Sequence, residues 1–176
     1  MIALPVGTIF WSELQFAVPA FTIRQARSED SEALIGLMIE LARYEKLDHI
    51  FVNDAETLRQ WLFASPVASA LIAEIDGAAI GYAVFFRSFS SFLGKPGYWL
   101  EDLYVTPEHR GSGVGKALLA ELARVAVSEQ CGRVEWAVLD WNQTAIDFYQ
   151  RIGADVMRDW RVCRLDGEKL QRFAAS

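Results

Sequence analysis

Cysteine and histidine are scarce in this 176-residue chain, which has only Cys131 and Cys163, and only His49 and His109. Two cysteines are too few for a disulfide framework, and neither stands at a metal-ligand spacing. No local motif around either histidine indicates a zinc site or a serine-histidine-carboxylate triad, so no metal is expected. Basic charge is also in deficit, with 17 Lys and Arg against 23 Asp and Glu, a formal net charge of -6 and a pI of about 5.0. Such a field repels nucleic-acid phosphates at long range and favours a cationic substrate. No stretch makes a convincing membrane span or signal peptide: residues 1–20 are fairly apolar, but they lack a basic start, carry Glu13 and are broken by Pro5 and Pro19. The expectation is an N-terminal extension over 1–20, an added edge strand or a surface arm, ahead of one domain over 21–176. A reducing cytoplasm is the simplest home for two unpaired thiols.

What is present is an ordinary globular composition, 52% hydrophobic and 23% charged, with no internal repeat, low-complexity segment or linker. Phe21 to Arg24 alternates as a strand, and Ser28-Glu29-Asp30 starts a helix. Leu34, Leu37, Met38, Leu41 and Ala42 recur on one face of that helix, which ends near Tyr44-Glu45-Lys46. Asn53-Asp54 caps a second helix, stopped by Ser65-Pro66. Ala70 to Ile75 and Ala79 to Arg87 flank Asp76-Gly77, a favoured hairpin turn. Ser88 to Gly97 reads as a connecting loop whose Phe89 and Phe92 cover the core. A central strand follows, then a helix from Val114 to Glu129, a strand from Arg133 to Leu139, a short helix from Thr144 to Arg151, and a last strand from Trp160 to Leu165. This order predicts an α/β domain with a mixed sheet and a parallel, right-handed crossover near its centre.

Chemistry concentrates in Trp99 to Lys116, WLEDLYVTPEHRGSGVGK. A strand enters a glycine-rich turn that opens a helix, and the first helical amides, lacking partners, make an anion site. A Walker A loop fails, because Arg110 and Ala117 stand where it needs Gly and Ser or Thr. A dinucleotide fingerprint is weak, because Lys116 replaces its third glycine. A glycine turn with no ligand is the plain alternative, although three glycines before a strong helix cost stability without a use.

The surviving pattern, Arg-Gly-x-Gly-x-Gly after a strand and Pro-Glu-His, resembles the acetyl-CoA loop of the GCN5-related N-acetyltransferase (GNAT) superfamily. LARYEKL, LEDLYV, RGSGVG and WNQTAIDFY together are similar to the spermidine/spermine and thialysine N-acetyltransferase branch, over most of the chain from Phe21 onward. The resemblance implies a single-domain GNAT fold with a splayed central strand and flanking helices. It implies that the backbone of Leu103, Tyr104 and Val105 pairs with the pantetheine arm of acetyl-CoA. It assigns the pyrophosphate to Arg110, Gly111, Ser112, Gly113, Val114, Gly115 and Lys116, and further cofactor contacts to Asn142 and Thr144.

The same resemblance makes Tyr149 the general acid that protonates the departing thiolate; taken alone, it would be a core aromatic beside Phe148. A primary amine with a pKa of about 10.4 is neutral in roughly one molecule in 2,500 at pH 7, a handicap of about 4.6 kcal/mol, so a base is useful. Glu101 matches the family carboxylate that takes the proton, directly or through a water. Adjacent strand residues point to opposite faces, so Glu101 and Asp102 share a side only if the strand is distorted; Asp102 is then a secondary cation contact. Tyr44, Glu45, Glu135 and Trp136 match substrate-side positions, and Asp159 is placed only loosely. The implied reaction is acetyl transfer to a primary amine of a small cationic substrate, polyamine or thialysine-like, by direct attack in a ternary complex, and the implied assembly is a homodimer. A non-catalytic CoA-binding module and an acetyltransferase of a protein amine remain open beside it.

Overall fold

The structure, a computed structural model, describes residues 20–176; the expectation for the N-terminal extension falls almost entirely on 1–19, outside the described residues. Five strands form one sheet in the order β1 (Thr22–Gln25), β2 (Ser69–Ile75), β3 (Ala78–Ser90), β4 (Lys95–Val105) and β5 (Val134–Trp136). The first four are antiparallel in sequence, and β5 joins β4 in parallel. Asp76 and Gly77 both take positive φ, 50° and 78°, as a two-residue turn between right-twisted strands requires.

Helices cover both faces. On one, α1 (Ser31–Tyr44) and α2 (Ala55–Arg59), which runs on into a π turn at Gln60–Ala64, bury Leu34, Leu37, Met38, Leu58 and Leu62 against Ile72, Tyr82 and Tyr104. On the other, α3 (Val114–Ser128) and α4 (Gln143–Arg151) bury Val114, Leu118, Leu122 and Tyr149 against Ala83, Phe85 and Leu100. Each fully buried leucine of these stripes contributes about 1.5–3 kcal/mol, so helix docking fixes the sheet between two cores. Lys46, at φ 61°, ends α1 in a left-handed residue, with Leu47 N–H donating back to the Ala42 carbonyl. That stop leaves Tyr44 and Glu45 at the helix end.

Two irregularities in β4 create the site. Val84 pairs with Asp102 but Phe85 pairs with Leu100, so Glu101 is an extra, bulged residue. The bulge shifts the alternation: Tyr98 and Leu100 lie in the α3 core before it, whereas Leu103 and Val105 pack there after it and Tyr104 turns to the α1 core. Second, β5 pairs only with Tyr98, Trp99 and Leu100, while β4 continues to Val105. The strands part there, and among the described residues the outer edge of the last β4 residues has no strand beside it, which is the splay the resemblance implied.

Three expectations are corrected. Ser88 to Gly97 is mostly strand, because β3 and β4 pair out to Ser90 and Lys95 and turn only over the four residues between. Phe89 and Phe92 are 69% and 98% exposed at that turn and cover no core. Trp160 to Leu165 forms no strand; it lies exposed ahead of α5 (Gly167–Ala174) and pairs with no strand among the described residues.

Candidate active site

At the splay, the glycine loop is shaped as an anion cradle. Gly111 and Gly113 take φ of 76° and 93°, values that side chains rarely adopt, and Gly113 caps α3 with no side-chain bond to the helix amides. The first intrahelical bond is donated by Ala117 to Gly113, so the amides of Val114, Gly115 and Lys116 precede the helix ladder. The first turn of α3 carries no acidic residue, unlike those of α1, α2 and α5, and Lys116 is exposed beside it. The helix dipole is thus left for an external anion. Ser112 Oγ donates to the His109 carbonyl at 2.6 Å, which holds the loop from within. Arg110 folds back: its Nε donates to the Val105 carbonyl at 3.0 Å, and its guanidinium lies 4.7 Å from the ring centre of Tyr44 and 5.4 Å from that of Tyr104.

Two cavities meet along this line. One, of about 340 Å³, is walled by Arg43, Tyr44, Tyr104 and Arg110 together with Glu40 and Glu108. The other, of about 500 Å³, takes the very next helix residue, Glu45, and Asp102 from the strand, together with Glu101, Tyr82, Phe51 and Trp61. The first sets two arginines against two glutamates. The second has three carboxylates, and its lining holds no Lys, Arg or His.

The acidic cavity perturbs its own groups. Burial, then the charge of Glu101, pushes the Asp102 carboxyl up to about 6, the Tyr82 hydroxyl pulling against them; burial alone raises Glu45. Tyr82 is fully buried and donates to Asp102 Oδ2 at 3.3 Å. Its own ionisation is pushed well above 10 by that burial and by Asp102. Glu101, by contrast, is exposed at the bulge and accepts from Trp99 Nε1 at 3.1 Å. Strand distortion therefore brings Glu101 and Asp102 to one cavity, the condition the sequence left open.

Tyr149 is 8% exposed, its ring 5.0 Å from that of Trp136 and 5.3 Å from that of Phe148. Burial, then the nearby charge of Glu45, pushes its phenol up to about 12. Glu45 thus acts electrostatically on both Asp102 and Tyr149, although Tyr149 belongs to the α3-face core and lines neither cavity. Asn142 caps α4, accepting from Ala145 N–H at 3.2 Å, and also accepts from Tyr44 hydroxyl at 3.1 Å, so the ends of α1 and α4 are tied across the cleft. Thr144 is exposed in the first turn of α4. Leu103 and Val105 are half-buried and Tyr104 is buried, its hydroxyl donating to Glu40 at 3.1 Å. Glu135 lines neither cavity; Arg133 Nε holds it at 2.6 Å on β5. Asp159 lies on the segment after α4, also outside both linings.

Sequence reasoning missed Tyr82, Phe51 and Trp61 as cavity walls. A polar-tipped tyrosine inside the apolar run Ala78 to Phe86 was the available signal for the first. The other two read as ordinary helix and loop apolars.

The acetyltransferase (GNAT) family model matches residues 33–154. A thialysine N-epsilon-acetyltransferase of Bos taurus is 36% identical over 164 residues, covering 86% of this chain and 96% of the relative. The spermidine/spermine N(1)-acetyltransferase-like protein 1 of Homo sapiens is 32% identical over 171 residues, 91% of this chain but 24% of that longer protein. Among solved structures, an integron cassette protein from the mobile metagenome of V. cholerae superposes with a TM-score of 0.75 at 27% identity, over 89% of this chain and 98% of the other. On this family match, and on relatives named as N-acetyltransferases, the chain belongs to the acetyltransferase (GNAT) family and is an N-acetyltransferase.

Proposed function

We propose that this protein transfers the acetyl group of acetyl-CoA to a primary amine of a small cationic substrate, by direct attack in a ternary complex. The observation that carries the reading is that β4 leads from an acid-lined cavity at Glu101 and Asp102 to a glycine turn whose Val114, Gly115 and Lys116 amides precede the α3 ladder. The cradle fits the cofactor: free α3 amides, Arg110 and Lys116 suit a diphosphate, and the open outer edge of Leu103 to Val105 suits an amide-bearing arm. Asn142 and Thr144 stand at the facing end of α4. Acetyl-CoA, when bound, supplies the activated acyl group as a thioester. Arg110 must leave the Val105 carbonyl to serve the cradle, exchanging its stacking for phosphate contacts.

On the amine side, Glu45, Glu101 and Asp102 hold the cation and lower the cost of approach. The resemblance gives proton acceptance to Glu101; the cavity offers a second carboxylate, Asp102, for the same proton. Tyr149, neutral at physiological pH, holds a proton for the departing sulfur. The acceptor class follows from the lining: three carboxylates suit the repeated ammonium groups of a polyamine, whereas a thialysine-like acceptor brings a carboxylate for which this lining has no basic partner. Polyamines therefore lead.

The test is a panel of polyamines, diamines and amino-acid amines mixed with protein and acetyl-CoA, with free CoA thiol as the readout. Release with polyamines above amino-acid amines is the expected result. Tight CoA binding with no release from any amine would favour a binding module instead.

We propose further that the protein is a cytoplasmic homodimer with one acetyltransferase domain over 21–176. Cys131 and Cys163 are free thiols, suited to a reducing compartment, and no helix among the described residues is long and apolar enough to cross a membrane. Met157, Trp160, Val162, Leu165, Leu170 and Phe173 are all at least half exposed, an apolar surface that a second copy would cover.

A further inference from the structure

We infer that Asp102 takes the ammonium proton of the acceptor amine, and that Tyr82 is the positioning residue that aims its carboxylate, with Glu101 acting as a neighbouring charge. This rests on the acetyltransferase reading above and reassigns one role within it.

The bulge is the geometric reason. Were Glu101 paired as a regular strand residue rather than bulged, Asp102 would follow Tyr98 and Leu100 onto the α3 face of β4, inside the apolar core. With it, Asp102 turns to the α1 face, where it pairs across the sheet with Val84 and meets the hydroxyl of Tyr82. Tyr82 has no exposed surface, and its ring is wedged among the side chains of the α1 core, so its hydroxyl is a fixed donor. A fixed donor on one carboxylate oxygen leaves the other free for an incoming N–H. Glu101 is differently placed: exposed at the rim and tied to the Trp99 indole, it is the wetter and less constrained of the two.

Electrostatics agree with the geometry. The charged and titratable groups acting on Asp102 are Glu101 on β4, Tyr82 on β3 and Glu45 at the end of α1, and the cavity they share is lined by no cation. A carboxyl pushed up to about 6 is a better proton acceptor than an ordinary one, yet it is still largely ionised at pH 7. In the step itself, one ammonium N–H bond breaks, the electron pair stays on nitrogen, and the proton passes to Asp102 and on to solvent at the cavity mouth. The nitrogen pair then forms the C–N bond as the C–S bond breaks. Tyr149 lends its proton to sulfur and is made whole by the second proton leaving nitrogen.

The pH dependence of kcat/KM, with the full chain, acetyl-CoA and the best amine of the panel, tests this. Tyr82→Phe removes a donor that stabilises the carboxylate, so the acidic limb moves to higher pH. Glu101→Gln removes a like charge, so the limb moves to lower pH but persists. Asp102→Asn abolishes the limb and lowers kcat by roughly 100-fold or more. CoA affinity, measured by calorimetry in each variant, stays within a few-fold and certifies the fold. Should Asp102→Asn fail to fold, the opposite shifts of the other two variants decide alone. A limb lost in Glu101→Gln and kept in Asp102→Asn overturns the assignment in favour of Glu101, and an unmoved limb in Tyr82→Phe removes Tyr82 from it. Neither result touches the acetyltransferase reading, which fails only if the wild type releases no CoA with any amine.

Discussion

Tyr149 shows how one residue serves two masters. Its ring is core, packed on Trp136 and Phe148 against the α3 face, as a tyrosine in isolation would be read. Its hydroxyl is the part proposed as the acid, and burial together with Glu45 keeps it protonated far above neutral pH. Tyr149→Phe preserves the ring and deletes only the proton. Turnover with the best amine should fall by roughly 100-fold, the usual worth of a positioned acid, while KM for acetyl-CoA stays within a few-fold. Steady-state kinetics on the two enzymes checks this, and an unchanged kcat would return Tyr149 to the core alone. The motif around Tyr149 was legible in the sequence. Glu45, whose charge adds to the effect of burial on that phenol, lies more than a hundred positions away and was visible only as a helix end beside Lys46.

Among elements, β1 is the least self-sufficient, a four-residue edge strand ahead of the first long helix. Arg24 fastens it, donating to both carboxylate oxygens of Asp30 at 2.7 and 2.9 Å and to Glu74 on β2 at 2.9 and 3.1 Å. Its side chain is 28% exposed and that of Asp30 is 11%, so the bonds are only partly screened. Arg24→Leu should cost about 2 kcal/mol of stability at pH 7, since it strands two carboxylates. Arg24 holds the Asp30 carboxyl below the usual range. That contribution is complete above the ordinary aspartate pKa of about 3.9 and disappears as pH falls through the lowered folded value. Urea unfolding of both proteins at pH 7 and pH 3 measures it; an equal stability gap at the two pH values would show that the ion pairs contribute nothing. The Asp76-Gly77 hairpin was readable because local φ demands name the residues. The β3–β4 hairpin was not, because its turn is rich in Ser, Gly and Phe and its strand pairing is a long-range fact.

For the molecule as a whole, the unmet surface is at the C-terminal end. Trp160 to Leu165 has the alternation of a strand and no strand partner, and α5 presents Leu170 and Phe173 at 51% and 68% exposure. Burying such side chains is worth about 1.5–3 kcal/mol each, which is the gain available to the proposed second copy. Light scattering on the purified chain should give twice the monomer mass of 19.8 kDa. Replacing Trp160, Val162 and Leu165 together with Ser should shift it towards monomer, and a wild-type monomer at micromolar concentration would remove the proposal.

What the sequence determined by itself was whatever depends on neighbours along the chain. The helical stripes, the Asp76-Gly77 turn, and the glycine cradle with its capping position at Gly113 are set by local dihedral demands and periodicity. Those signals sufficed for the α/β class, and the resemblance of the RGSGVG and WNQTAIDFY motifs pointed to the family. Only tertiary structure decided the acid cavity, because it depends on a one-residue slip in the pairing of β3 with β4. That slip conserves every local preference, yet it carries Asp102 from the α3 face to the α1 face and seats it under a tyrosine twenty positions earlier. Register is a property of two strands at once, so no reading of either strand alone could show which carboxylate faces the amine.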